Sequence, residues 1–160
     1  MNYKKTIDDF ENNYDEKRTI RLKNLKDKFK NPIMTKKNPI IYETFLIKFP
    51  PIQLGLTAIN PGSVNGEFYM TRGHMHTKKT PEFYVLLEGR GILLMQKGNK
   101  PKIIRLKKGE ITFIPEGYAH RLINTGNKKL KVMTIYHEDS KPSYNIKFKT
   151  SSAQVNYFLP

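Results

Sequence analysis

Short runs of β-branched and aromatic residues, separated by Gly, Pro and Asn, follow one another from Ile40 onward. The runs are PIIYETFLIKF, LGLTAI, EFYVLL, GILLMQ, KIIRL, EITFIP, HRLINTG and KVMTIYH. Segments of this length and composition, bounded by turn residues, are typical of β-strands. Eight short strands in succession predict an all-β domain, built as an antiparallel sandwich or barrel.

The chain before Ile40 has a different pattern, with isolated apolar side chains among many charges. Between Ile20 and Phe29 the apolar spacing predicts a short amphipathic helix that packs on the rest of the chain. Pro32 and Pro39 then bracket a linker. We expect an N-terminal extension with a short helix at residues 1–38, the β domain at 39–148 and a C-terminal tail at 149–160.

The composition excludes several classes of protein. The 160 residues contain no cysteine, which rules out disulfides and thiolate metal sites. The start of the chain is too polar for a signal peptide, and no stretch approaches the roughly 18 apolar residues that a membrane span needs. We therefore expect a cytoplasmic protein that has no membrane partner.

The formal net charge of +15 is the one extreme value in the composition. It is compatible with nucleic-acid binding, with an anionic substrate, or with a coding bias that favours Lys, Asn, Ile, Tyr and Phe together. The Lys and Arg residues are spread along the chain, without a basic block or a nucleic-acid motif. We expect no nucleic-acid partner, and the charge alone does not identify a substrate.

Two of the four histidines, His74 and His76, stand two positions apart. In a strand, residues with this spacing point to the same face, so both imidazoles can converge on one point. Glu82 follows after a short connection that contains Pro81, and a hairpin here would return its carboxylate to the two histidines. His120 comes later, shortly after a turn marked by Pro and Gly.

Two or three imidazoles and one carboxylate form a donor set suited to a divalent metal ion. Borderline ions such as Fe²⁺, Mn²⁺, Ni²⁺ and Zn²⁺ prefer these donors, and coordination positions stay open for substrate or water. Any single histidine is more often a hydrogen-bonded residue than a ligand, and we interpret His137, outside the pattern, in that way. The other three histidines in one patterned set favour a metal site.

Two longer stretches around these residues resemble the two sequence motifs of the cupin superfamily. GEFYMTRGHMHTKKTPEFYVLLEG is similar to the first motif, which reads His-x-His, a short gap, Glu, six residues and Gly. GEITFIPEGYAHRLIN is similar to the second motif, which is matched in full by Gly109, Pro115, Gly117, His120 and Asn124. The resemblance implies a double-stranded β-helix, a jelly-roll-like barrel, with a metal ion near its centre held by His74, His76, Glu82 and His120.

The likeness narrows to one family within the superfamily. PGSVNGEFYMTRGHMH, with NPIIYETF upstream and AHRLINTGNKKLKVMTIYHEDS downstream, resembles the cupin-type glucose-6-phosphate isomerases of archaea and some bacteria, over roughly residues 20 to 145. The resemblance implies a homodimer, for which the apolar N-terminal segment is the candidate surface. It also implies a substrate phosphate bound by Thr57, Thr71, Gly73 and Tyr136, with Tyr84 and Tyr42 as active-site tyrosines.

The same resemblance implies reversible isomerisation of D-glucose 6-phosphate and D-fructose 6-phosphate, in which a proton moves between C1 and C2 through an enediol-type intermediate. A divalent cation, with Fe²⁺ as the first candidate, would stabilise the developing enediolate. Glu82 is the candidate base, a metal ligand, or both, and Tyr84 either relays a proton or holds a sugar hydroxyl. An iron-dependent dioxygenase and a non-catalytic sugar-binding module with a structural metal are the alternatives.

Overall fold

Thirteen strands and one short α-helix form the regular structure of residues 7–30 and 37–154, which are the residues that the computed structural model describes. In chain order they are α1 (Ile7–Asn12), β1 (Glu16–Arg21), β2 (Ile40–Phe49), β3 (Ile52–Ile59), β4 (Ser63–Val64), β5 (Glu67–Phe68), β6 (Met75–His76), β7 (Glu82–Glu88), β8 (Gly91–Lys97), β9 (Lys100–Arg105), β10 (Ile111–Ile114), β11 (Ala119–Asn124), β12 (Leu130–His137) and β13 (Pro142–Ser143). Parts of the predicted extension, linker and tail, at residues 1–6, 31–36 and 155–160, lie outside the described residues. None of the helices among the described residues is long and apolar enough to span a membrane.

Most of the strands belong to two sheets. Six lie side by side in the order β1-β2-β3-β12-β7-β10, and three more lie in the order β11-β8-β9. Every ladder within these sheets is antiparallel. The eight strands predicted from the sequence correspond to β2, β3 and β7 to β12, so the prediction of an all-β antiparallel fold is confirmed.

One apolar core joins the two sheets. It contains fully buried side chains from both, including Ile59 and Val132 of the larger sheet and Leu93 and Ile123 of the smaller one. Removing these side chains from water on both inner faces is the main favourable contribution to packing of this kind. Phe10 of α1 joins a second, smaller cluster, in which it covers apolar residues of β2 and β3.

The predicted α-helix between Ile20 and Phe29 is wrong. Ile20 and Arg21 end β1, which pairs with β2, and the chain continues in two short 3₁₀ helices at Leu22–Asn24 and Lys26–Lys28. The backbone edge of β2 supplies hydrogen-bond partners for β1, and this tertiary pairing outweighs a helical periodicity that is only partial. The segment still packs on the rest of the chain, because the main core includes its apolar side chains Leu22, Leu25 and Phe29.

Asn124 ties three parts of the fold together at the end of β11. Its side-chain amide donates to the carbonyl oxygens of Ile59 and Lys128, at 2.9 Å each. Its Oδ1 accepts from the amide of Gly126 at 2.9 Å. Since the residue is fully buried, these bonds satisfy polar groups that water does not reach. The asparagine of the second motif is therefore a structural residue.

Replacing Asn124 with alanine is expected to lower the free energy of unfolding by about 3 kcal/mol, because it leaves buried backbone groups unsatisfied. Urea denaturation followed by circular dichroism measures the change. Asn127→Ala is the matched control, since Asn127 is exposed in the same turn and the change there should stay within about 0.5 kcal/mol. Equal losses of stability in the two variants would contradict the role assigned to Asn124.

Candidate metal centre

His74 and His120 lie directly opposite each other on two paired segments. The amide of His74 donates to the carbonyl oxygen of His120 at 3.1 Å, and the amide of His120 donates to the carbonyl oxygen of His74 at 2.8 Å. A doubly hydrogen-bonded antiparallel pair of this kind places both side chains on the same face. The two ring centroids are 4.3 Å apart as a result.

His76 and Glu82 complete the group from two other strands. His76 lies on β6, two residues after His74, and the centroids of these two rings are 5.2 Å apart, in agreement with the predicted strand spacing. The predicted hairpin between His76 and Glu82 is wrong, because β6 pairs with β13 and β7 pairs with β10 and β12. Glu82 reaches the histidines from the larger sheet, whereas His120 belongs to the smaller one.

The four side chains direct their donor atoms around one point. One ligand atom from each of them lies within 4.8 Å of all the others. Glu82 Oε2 is 3.1 Å from His120 Nε2 and 3.3 Å from His76 Nε2. Both Glu82 Oε2 and His120 Nε2 are buried, and neither has a partner with hydrogen-bond geometry. Because buried polar atoms are normally satisfied, this unpaired set fits a bound cation.

Backbone carbonyls orient two of the histidine rings. His76 Nδ1 lies 2.9 Å from the carbonyl oxygen of Thr80, and His120 Nδ1 lies 3.2 Å from that of Tyr118. A carbonyl oxygen only accepts, so in the neutral ring each Nδ1 carries the proton and each Nε2 keeps its lone pair. The Nε2 atoms are those nearest Glu82, and carbonyl partners of this kind fix the tautomer of metal-ligating histidines.

The protonation states of the group also suit a metal. Burial, together with the charge of His120, lowers the pKa of His74 to about 3, so its imidazole is neutral at pH 7. Burial raises the pKa of Glu82, but the neighbouring His120 and His76 outweigh it and lower the pKa to about 2. Burial lowers the pKa of His76, yet Glu82 and the Thr80 carbonyl raise it overall. Metal binding at His76 therefore competes with a proton.

A cavity of about 490 Å³ opens onto the group, and His74, His76 and Glu82 line it. Its walls come from β1, β2, β3, β7 and β12 and from the segment after β12. Small-molecule sites in proteins have volumes of about 300 to 1,000 Å³. A ligand the size of a sugar phosphate can therefore reach His74, His76 and Glu82. Three other predicted site residues line the same cavity: Thr57, Tyr84 and Tyr136.

Thr71, Gly73 and Tyr42 do not line this cavity. The hydroxyl of Thr71 accepts a hydrogen bond from a backbone amide of β11 at 3.1 Å, and the hydroxyl of Tyr42 lies 3.5 Å from the amide nitrogen of Arg72. Gly73 has a φ of +75°, and a Cβ at this position would lie 2.5 Å from Cε2 of Phe148. The positive φ and the nearby ring of Phe148 favour glycine here without any ligand. Phosphate binding by Thr71 and Gly73, and the role of Tyr42 as an active-site tyrosine, remain predictions.

The cavity contains groups that the sequence pattern did not single out. The ring centroid of Tyr144, which follows β13, lies 6.0 Å from that of His74. Thr134 stands two residues before Tyr136, so the alternation of a strand could have found it. Tyr144 had no such signal, because only the path of the chain after β12 brings it to the site. Three cations also line the cavity: Arg18, Lys48 and Lys141.

The sequence matches one protein family over most of its length. The model of the family described as glucose-6-phosphate isomerase (GPI) matches residues 34–158. A glucose-6-phosphate isomerase of Pyrococcus abyssi is 33% identical over 126 residues, which are 75% of this chain and 67% of that protein. One of Thermococcus litoralis is 34% identical over 113 residues, which are 67% of this chain and 60% of that protein. The chain thus spans between 60% and 67% of the length of these relatives.

Solved structures share the fold at low sequence identity. An oxalate decarboxylase superposes with a TM-score of 0.54 at 17% identity, over 70% of this chain and 29% of that chain. An oxalate oxidase in complex with glycolate superposes with a TM-score of 0.53 at 16% identity, over 72% of this chain and 59% of that chain. These likenesses show the fold alone, which is the predicted cupin fold. Since the family model covers most of its residues, the chain belongs to the glucose-6-phosphate isomerase family.

Proposed function

We propose that this protein is a metal-dependent isomerase that interconverts D-glucose 6-phosphate and D-fructose 6-phosphate through an enediol-type intermediate. The observation that carries the proposal is the convergence of His74, His76, Glu82 and His120 on one point beside a cavity of suitable volume. The relatives in the same family are named glucose-6-phosphate isomerases. The donor set supports metal dependence, and the names of the relatives support the isomerisation.

The donor set suits Fe²⁺, which is the ion we expect, with Mn²⁺, Ni²⁺ and Zn²⁺ as the alternatives. Held by these four residues, such an ion would supply Lewis acidity, which would stabilise the negative charge of an enediolate. Glu82 stays ionised at neutral pH because its pKa is lowered to about 2. A carboxylate with so low a pKa removes protons poorly, so its role as a ligand is favoured over its role as the base.

The environment of Tyr84 supports a role in holding a substrate oxygen. It lines the cavity two residues after Glu82, and burial, together with the charge of Glu82, raises its pKa well above the ordinary value. The hydroxyl therefore keeps its proton at neutral pH, so it can donate a hydrogen bond but cannot serve as a base. Holding a sugar hydroxyl is the role that this environment favours.

Removal of the metal with a chelator is expected to lower isomerase activity by at least about 100-fold, because the charge on the intermediate loses its stabilisation. A coupled assay follows the conversion of fructose 6-phosphate in anaerobic buffer, with Fe²⁺, Mn²⁺, Ni²⁺ and Zn²⁺ added back in turn. Turnover without oxygen separates an isomerase from a dioxygenase. Sugar-phosphate binding without turnover would point to a binding module, and full activity after chelation would contradict metal dependence.

Replacement of His120 with alanine is expected to weaken binding of the divalent ion by at least about 100-fold, since the site loses one ligand and its orienting contact. Metal content after dialysis and isothermal titration calorimetry with Zn²⁺ measure the loss. His137→Ala is the control, because His137 accepts a hydrogen bond from the amide of Asp139 at 3.1 Å and stands outside the ligand group. Unchanged metal content in His120→Ala would exclude this residue as a ligand.

The homodimer and the cytoplasmic location remain predictions. In the described part of the N-terminal segment, Phe10, Leu22, Leu25 and Phe29 are buried within the same chain, whereas Tyr14 is 41% exposed, so association through this segment stays a prediction. An apolar patch on β7 and β10 supports a different surface: Phe83, Ile111 and Phe113 are 38%, 69% and 50% exposed. The rings of Phe83 and Phe113 are 5.3 Å apart. Exposed apolar patches at the edge of a sheet favour association.

Replacement of Phe113 with serine is expected to raise the dimer dissociation constant by about 100-fold, because an aromatic side chain near the middle of an interface contributes strongly to binding. Sedimentation velocity over a range of protein concentrations measures this constant. Phe49→Ser is the matched control, since Phe49 is 39% exposed on another strand. A monomeric wild-type protein, or equal dissociation constants for the two variants, would contradict association through this patch.

A further inference from the structure

One row of side chains crosses three neighbouring strands at the wall of the cavity. Arg18 of β1 is opposite Thr44 of β2, and Thr44 is opposite Thr57 of β3. All three residues line the cavity that opens onto the metal ligands. Residues opposite each other on adjacent strands present their side chains on the same face, with strands about 4.8 Å apart. A guanidinium and two hydroxyls therefore share one wall, which we call the Arg18 row.

The chemistry of the Arg18 row suits a phosphate group. A guanidinium forms short, charge-assisted hydrogen bonds with phosphate oxygens through a planar set of donors. Threonine hydroxyls donate to the oxygens that remain. Thr71 and Gly73, which the family resemblance implies as phosphate ligands, do not line the cavity, whereas Thr57 does. The row thus combines one implied ligand with two residues that have no assigned role.

Arg18 is only weakly paired within the protein. Its Nη2 lies 3.5 Å from Glu16 Oε2, and the two side chains are 64% and 40% exposed. Glu16 has a closer partner in Lys48, whose Nζ lies 2.6 Å from Glu16 Oε1. Exposed ion pairs of this kind contribute little to stability. The guanidinium can therefore exchange its contact with Glu16 for a doubly charged ligand.

Tyr136 connects the Arg18 row to the metal ligands. Its Cα is opposite Glu82 on β7, and its side chain lines the same cavity as Arg18. A ligand that lies between Arg18 and Glu82 would have its anionic end at Arg18 and its reacting carbons near Glu82.

We propose that Arg18, supported by Thr44 and Thr57, recognises the phosphate of the substrate and determines the preference of this enzyme for phosphorylated sugars. This inference rests on the proposed isomerase function and adds the residue that selects the substrate class. Arg18 touches the phosphate and not the reacting carbons, so its effect falls on substrate binding. The contribution of Lys48 is smaller, because Glu16 already neutralises it at 2.6 Å.

The test compares Arg18→Gln with Lys17→Gln in the metal-loaded protein. Lys17 is the neighbouring residue on β1, pairs with Glu43 at 2.9 Å and lies outside the cavity lining. Each substitution removes one positive charge from β1, so the effect of a lower net charge on substrate binding is the same in both variants. For Arg18→Gln we expect KM for fructose 6-phosphate to rise about tenfold or more with kcat within about twofold, as loss of a charged hydrogen bond predicts. Lys17→Gln should keep both constants within about twofold.

Two further measurements sharpen the result. Arg18→Lys, which keeps the charge and loses the planar donors, should give a KM between those of the wild type and Arg18→Gln. Calorimetric binding of glucose 6-phosphate should weaken in Arg18→Gln by the same factor as KM rises. Equal KM values in Arg18→Gln and Lys17→Gln would overturn the proposal, and so would a rise in KM for Lys48→Gln that Arg18→Gln does not share.

The binding measurement separates this proposal from the proposed function. If the wild type binds glucose 6-phosphate without isomerising it, and Arg18→Gln weakens that binding, the isomerase assignment fails while the Arg18 assignment stands. If the wild type isomerises fructose 6-phosphate and Arg18→Gln leaves KM and binding unchanged, the isomerase assignment stands while the Arg18 assignment fails. Absence of any binding by the wild type would overturn both.

Discussion

The pair of backbone hydrogen bonds between His74 and His120 is the contact on which the chemistry of this fold depends. These bonds fix two imidazoles on one face before any metal is considered. The pairing of β6 with β13 then holds His76 beside them. Glu82 arrives from the other sheet, so its position depends on the apolar core that joins the two sheets. Main-chain pairing thus sets the histidines, and side-chain packing sets the carboxylate.

This arrangement has a cost in stability when no cation is bound. Glu82 Oε2 and His120 Nε2 are buried without hydrogen-bond partners, and unsatisfied polar atoms in an apolar environment are unfavourable. A cation that binds only the folded chain removes this cost and adds its own binding free energy to stability. The contacts of the two Nδ1 atoms with backbone carbonyls hold the rings in this orientation. Rings that were free to rotate would turn Nε2 towards other partners.

The sequence was informative wherever a local rule decides the structure. The alternation of side chains in a strand correctly predicted that His74 and His76 share one face. Gly89, which ends the first motif, must be glycine because its φ is +82° and an added Cβ would lie 2.4 Å from the carbonyl oxygen of Lys129. The predictions failed where distant parts of the chain decide. The start of the predicted helix at Ile20–Phe29 instead belongs to β1, which pairs with β2. In place of the expected hairpin between His76 and Glu82, β6 pairs with β13 at Pro142–Ser143.

The position of the candidate phosphate ligands could not be read from the sequence for a related reason. Thr57 and Thr71 look alike as threonines in β-rich segments, yet Thr57 lines the cavity, whereas the hydroxyl of Thr71 serves the pairing with β11. Which hydroxyl is available depends on the neighbouring strand, and that neighbour is distant in the chain. The register β1-β2-β3 is what brings Arg18 level with Thr57.

The net charge of +15 can act on a ligand at long range, unlike the side chains that line the cavity. A charge spread over the surface raises the local concentration and arrival rate of a dianion, but it does not orient the ligand. Orienting a ligand requires cationic side chains at fixed positions. The cavity lining includes Arg18, Lys48 and Lys141, and Lys48 is already paired with Glu16. The general excess of Lys and Arg would therefore attract a sugar phosphate, whereas its direction in the cavity would depend on the few charged side chains that the strand register places there.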